Sequence, residues 1–183
     1  MRTLCCALLL VFALPCLADV DPALIKSLRE GGYILYMAPA PVDQSQKDTP
    51  FITNYENCRA QRNLSEKGRA EARSIGEHVK RLGIPVGQVL TSPYCRTYDT
   101  AQLAFGKGER TPAVRSLEEL RKIFATVPEK GTDLVIVSHT LPMNNDMRTL
   151  APSEMMVVKP GGPTGYSVVG RIRANEWAKL KVK

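Results

Sequence analysis

Tyr33-Ile34-Leu35-Tyr36-Met37-Ala38-Pro39-Ala40 is an apolar run that follows Gly31-Gly32 and is stopped by proline. A short run that is apolar at odd and even positions alike belongs to a strand covered on both faces, as in a parallel sheet. In open α/β sheets, ligands bind just beyond the carboxyl ends of such strands. The residues after Met37 therefore stand where chemistry is expected. Two later apolar runs end in a similar way: Val89-Leu90 leads into Ser92-Pro93-Tyr94-Cys95-Arg96-Thr97, and Leu134-Val135-Ile136-Val137 leads into Ser138-His139. The three runs, Tyr33 to Met37 included, are expected to be neighbouring parallel strands whose following residues meet in one place.

The segments between them read as helices. Asp21-Pro22 caps and opens a helix that Gly31 closes, with Leu24 and Leu28 on one face. Ala38 to Asn63 has Pro39, Pro41 and Pro50 and no sustained period, so it is expected to be a long functional or mobile loop. Ser65 caps the next helix, whose buried stripe is Ala72, Ile75, Val79 and Leu82. Arg96 to Phe105 reads as another. Val114-Arg115 is expected as a minor strand, and Ser116-Leu117-Glu118-Glu119 as a capping box opening a helix with Leu117, Leu120 and Phe124. Asn144 to Leu150 carries at least a helical turn. Met155 to Val158 and Tyr166 to Val169 flank Pro160-Gly161-Gly162-Pro163 as an antiparallel pair, and Asn175 to Leu180 closes as a short helix. Strands alternating with helices and ending in a hairpin predict a three-layer α/β/α sandwich around a mostly parallel sheet.

The amino terminus reads as a targeting segment. Arg2 is a minimal basic region, Leu4 to Leu17 is apolar but too short to span a bilayer, and Cys16-Leu17-Ala18 offers small residues at the two positions a signal peptidase reads. Cleavage before Asp19 is expected, ahead of a retained anchor or of lipid modification at Cys16, which Pro15 disfavours; it leaves residues 19–183 as a single domain, secreted, and periplasmic if the source is a Gram-negative bacterium. Cys5, Cys6 and Cys16 leave with the leader; Cys58 and Cys95 remain, either as a bridge formed in an oxidising compartment or as two buried thiols. The net charge of +7 falls by one with Arg2 and suits an anionic small molecule or envelope surface. Aromatic residues make up only 6% of the chain, which argues against base stacking, and no nucleic-acid motif is present. The spacing of histidines and cysteines fits no metal site. Oligomeric state is not legible.

The three strand ends, in this order, resemble the histidine phosphatase superfamily, whose fold is phosphoglycerate-mutase-like; the likeness runs from Gly31 to Trp177. It is nearest to short secreted bacterial members with a leader, two cysteines and a Tyr-Cys-Arg-Thr string. Within this resemblance Arg96 corresponds to a phosphate-binding arginine, and its place at a helix start suits an anion. His139 corresponds to the family's second histidine, which contacts the phosphoryl group. Gln61-Arg62-Asn63-Leu64-Ser65-Glu66-Lys67-Gly68 is similar to an Arg-x-Leu-Ser/Thr-x-x-Gly segment and raises Arg62 as a further phosphate contact. Glu118 and Glu119 lie where some members carry a proton donor, but also serve as ordinary first-turn acids. The chemistry implied is metal-free and needs no cofactor.

One feature departs from the family. Its first strand ends in an Arg-His pair whose histidine is the nucleophile, and here Ala38-Pro39 stands in that place. Pro39 offers neither a nucleophile nor an N–H, and Ala38 removes a guanidinium. Loss of a covalent nucleophile costs on the order of 10⁶ in turnover. The resemblance therefore implies a pseudophosphatase that weakly holds a phosphorylated small molecule or other anion through Arg62, Arg96 and His139, with binding strengthened when His139 is protonated. The alternatives are a phosphomonoester hydrolase with relocated chemistry on His139, Arg62 and Arg96, and an inactive variant of a true phosphatase.

Overall fold

A computed structural model describes residues 20–162 and 164–181. The expected leader, with Cys5, Cys6 and Cys16, lies outside the described residues. Six strands form one sheet: β1 (Ile34–Met37), β2 (Val86–Thr91), β3 (Glu109–Arg110), β4 (Asp133–Val137), β5 (Met155–Pro160) and β6 (Tyr166–Ile172). Their order is β3-β2-β4-β1-β5-β6, parallel from β3 to β1 and antiparallel beyond it. The three expected parallel runs are thus neighbours, with β4 between β2 and β1.

The unbroken apolarity of β1 has a simple cause. Successive strand side chains point to opposite faces, and both faces of this sheet are covered. Leu35 and Met37 pack with Ile25 and Leu28 of α1 (Pro22–Glu30), with Ile75 and Val79 of α2 (Glu66–Arg81), and with Ala101 of α3 (Cys95–Phe105). Ile34 and Tyr36 pack on the other side with Leu120 and Phe124 of α4 (Leu117–Ala125) and Met147 of α5 (Asn145–Arg148). The result is the expected three-layer sandwich. Local signals placed the helix starts: Asp21, Ser65 and Ser116 each accept a backbone N–H of the turn they cap, from Ala23, Gly68 and Glu119 respectively.

Four expectations change in detail. The buried face of α1 uses Ile25 with Leu28, while Leu24 is only partly buried. Val114-Arg115 is not a strand. It ends a 3₁₀ turn, Pro112–Arg115, capped by the Thr111 side chain, and the minor strand is Glu109–Arg110 instead. Pro112 has no N–H to give to a ladder and fits the first position of a helical turn. Only the Ser116 half of the expected capping box forms, because Glu119 pairs with Lys122. The carboxyl-terminal helix is a single 3₁₀ turn, Trp177–Lys179.

Candidate functional site

Backbone bonds draw the three strand ends together. Ser138 N–H donates to Met37 O at 3.1 Å, and Ser92 N–H donates to Val137 O at 3.1 Å. Ala38, Ser92 and Ser138 therefore sit side by side, each at the first position past its strand. A cavity of ≈ 270 Å³ opens above them. Arg62, Arg96 and His139 line one part of it, and the rest is mostly apolar, with Ala38, Pro39, Val42, Leu150 and Pro152 interrupted by the polar side chains of Gln44 and Thr140. Glu118 and Glu119 do not line it; both pair with Lys122.

Arg96 is the second residue of α3 and is only 8% exposed. Its Nη1 donates to both carboxylate oxygens of Asp48, at 2.9 and 3.2 Å. Asp48 also accepts the Arg62 N–H at 3.0 Å. The guanidinium carbon of Arg96 lies 4.3 Å from the centre of the Tyr94 ring, a cation–π distance. Asp48 comes from the long loop after β1, and nothing in its local sequence marks it as a partner of Arg96. The Nε of Arg62 is buried with no hydrogen-bond partner among the described residues.

That loop is folded rather than free. Cys58, in the 3₁₀ turn Cys58–Ala60, is bridged to Cys95, so the disulfide fastens the loop one residue before Arg96. Gln61, buried, adds a second fastening: its Oε1 accepts the Cys95 N–H at 2.9 Å while its Nε2 donates to Tyr55 O at 2.8 Å. The Arg-x-Leu-Ser-x-x-Gly segment also has a mechanical use. The Ser65 N–H and hydroxyl both donate to Pro41 O, and a Cβ on Gly68 would stand 1.9 Å from that oxygen. Only glycine lets α2 approach the chain leaving β1 so closely.

His139 is held from two sides. The Tyr36 hydroxyl, whose pKa burial drives far up, donates to the His139 carbonyl oxygen. The ring Nε2 lies 2.9 Å from Ser92 Oγ, which lies 2.8 Å from Thr97 Oγ1. Thr97 Oγ1 itself donates to a backbone carbonyl, Tyr94 O at 2.7 Å. A hydroxyl has one proton, so Ser92 must donate to Thr97 and accept from His139. The network thus assigns the proton of the neutral ring to Nε2 and leaves the lone pair on Nδ1. Burial first, then the positive charges of Arg96 and Arg115, push the His139 pKa down to about 4, against a smaller opposing effect of Asp48. At neutral pH His139 is therefore uncharged in the free protein, so the donor expected of its protonated form is confined to acid pH.

Sequence reasoning had not singled out Asp48, Ser92 or Gln61, nor the exposed Arg115. The Arg115 guanidinium lies 5.0 Å from the Tyr94 ring centre and donates to the Tyr55 hydroxyl at 3.1 Å. Tyr94 meets the Tyr55 and His139 rings edge-on, at 5.1 and 5.0 Å. In the sequence, the Ser92-to-Thr97 string points to Tyr94 and Ser138-His139 points to His139, while Tyr55 and Arg115 carry no signal.

Comparison with known proteins agrees with this architecture. The histidine phosphatase superfamily (branch 1) profile matches residues 54–174, beginning after Ala38-Pro39. Among curated proteins, none is detectably similar in sequence. The protein histidine phosphatase SixA complexed with tungstate superposes with a TM-score of 0.57 at 14% identity, over 81% of this chain and 99% of that one. A mycobacterial glucosyl-3-phosphoglycerate phosphatase gives 0.52 at 15% identity, over 76% and 97% of the two chains. A histidine-to-alanine mutant of phosphoserine phosphatase from Entamoeba histolytica, in complex with phosphoserine, gives 0.51 at 10% identity, over 79% and 98%. Among the described residues, no helix is long and apolar enough to cross a membrane.

Proposed function

The chain belongs to the histidine phosphatase superfamily, and from that premise we propose that it is a secreted pseudophosphatase, holding a small anion in the Arg62–Arg96–His139 cavity without turning it over. One observation carries the reading: at the end of β1, the cavity wall is Ala38 and Pro39, neither of which can attack phosphorus. Arg62 and Arg96 remain as guanidinium donors suited to an anion. The amoebal phosphatase of this fold is in complex with phosphoserine as a histidine-to-alanine mutant, which supports a binding role that does not depend on every histidine. Secretion rests on the leader-like residues 1–18, and the Cys58–Cys95 bridge suits an oxidising compartment such as a periplasm. The ligand is a phosphorylated small molecule or another anion, not a nucleic acid.

A second reading keeps the chemistry but moves it. His139 lines the cavity with Arg96 and is neutral at pH 7, so its imidazole carries a lone pair that could serve as a nucleophile. Turnover of p-nitrophenyl phosphate separates the two. The pseudophosphatase reading expects none from the wild type and clear turnover after Ala38→Arg with Pro39→His. Wild-type turnover that disappears in His139→Ala favours the relocated mechanism.

A further inference from the structure

Resting on that anion-pocket reading, we propose that the ligand class of this cavity is a monoanionic organic acid with an apolar body, a carboxylate, rather than a phosphate dianion. The first reason is charge. Two guanidiniums, Arg62 and Arg96, face the cavity, but Asp48 already sits on Arg96 through both oxygens and on the Arg62 N–H. With His139 neutral, the site carries one net positive charge. Arg115 adds a positive charge felt at His139, but it is exposed and does not line the cavity, so solvent weakens its effect on a ligand there. A monoanion balances that single charge; a dianion brings one charge that must be desolvated without a partner.

The second reason is the wall. Ala38, Pro39, Val42, Leu150 and Pro152 give the cavity a mostly apolar side, broken by Gln44 and Thr140, away from the charged Arg62 and Arg96. A phosphate surrounded by its own hydration gains nothing there, whereas an alkyl or aryl body is drawn out of water. The third reason is the buried Arg62 Nε, a donor with no partner among the described residues. Buried donors are normally satisfied, and one carboxylate oxygen brought against Arg62, which lines the cavity, would satisfy it. Ligand sites commonly join a mostly apolar lining to a few polar groups that fix orientation.

The test compares four probes on the folded wild-type protein by calorimetry and by the His139 ring signals at pH 7.5: inorganic phosphate, phenyl phosphate, acetate and phenylacetate. The expected order has phenylacetate tightest, by about tenfold over both phosphate and acetate. Phosphate or phenyl phosphate binding tighter than phenylacetate overturns this inference while leaving the non-hydrolytic anion pocket intact. Acetate equal to phenylacetate also overturns it, because the apolar wall would then contribute nothing. Failure of all four probes overturns the anion-pocket reading itself. Asp48→Asn, which adds one net positive charge while keeping an acceptor for the Arg62 N–H, should move the preference toward phosphate by at least threefold; an unchanged preference contradicts the charge argument. If that variant does not fold, the wild-type order decides alone.

Discussion

Behind Arg96 and His139 the cavity rests on a chain of bonded polar side chains, whereas around Pro39 its wall is mostly apolar and held through its backbone. On the first side, Asp48, Ser92, Thr97 and Gln61 each satisfy a neighbour, and a disulfide closes the set. On the second, the Ala38 N–H donates to Glu154 O, the Ser153 N–H to Pro39 O and the Ala40 N–H to Thr100 Oγ1, all at 3.1 Å. The end of β1 is thus as firmly placed as the end of β2. What separates the two sides is side-chain chemistry, not architecture. A collapsed strand end would not keep these backbone bonds at Ala38, Pro39 and Ala40.

The strongest challenge to that comparison is to supply the side chains. If the β1 end is intact, Ala38→Arg with Pro39→His should raise p-nitrophenyl phosphate turnover by roughly 10³-fold or more, part of the factor a nucleophile is worth. A correctly folded double variant with no gain would show that the β1 side is damaged beyond its side chains. The next effect concerns the polar side. Cys58→Ser with Cys95→Ser opens a loop of sequence separation 37 and should lower stability by about 3–4 kcal/mol in denaturant unfolding. It should also weaken anion binding, because the same bridge positions the loop that carries Asp48 and Arg62.

A third, smaller effect is in the pH dependence of stability. The folded pKa of His139, about 4, lies below its ordinary 6.5, so its contribution is complete above pH 6.5 and is lost as pH falls toward 4. Asp133, buried at the opposite end of the sheet with one oxygen unpartnered among the described residues, is pushed by burial up to about 7. Its contribution runs the other way, complete below pH 3.8 and lost as pH rises through 7. Between pH 4 and 6.5 the two oppose each other. Relative to wild type, Asp133→Asn should therefore make stability rise more steeply with pH across that window, and His139→Gln should make it fall. The smallest effect is that of Arg115→Gln, which removes one charge depressing His139. It should raise the His139 pKa by roughly half a pH unit or less, read from the ring signals.

The legible parts of this molecule were the local ones. Asp21, Ser65 and Ser116 announce helix starts because a cap and its N–H are two or three residues apart. β1 and β4 announce themselves because burial on both faces leaves little polar alternation, whereas β2, with Gln88 exposed, shows itself only through Val89-Leu90. Arg96 and His139 could be placed at one site because each follows such a strand directly. Asp48 could not, since it lies 48 positions from Arg96 in a loop without a period. The His139 charge state was equally hidden, because it depends on burial and on Arg115, which reaches the site through the Tyr94 ring. Val114-Arg115 misled because two apolar-to-polar steps look alike in a strand and in a 3₁₀ turn; Pro112 was the overlooked signal.

The central claim is that this chain binds without covalent chemistry, and phosphoenzyme trapping tests it most directly. The wild-type protein is incubated with labelled acetyl phosphate and quenched in alkali, which preserves phosphohistidine, and the label is mapped beside the Ala38→Arg, Pro39→His variant. The expected result is no label on the wild type and label on the introduced histidine in the variant. Stoichiometric label on His139 of the wild type would contradict the account and show that the chemistry had moved across the cavity.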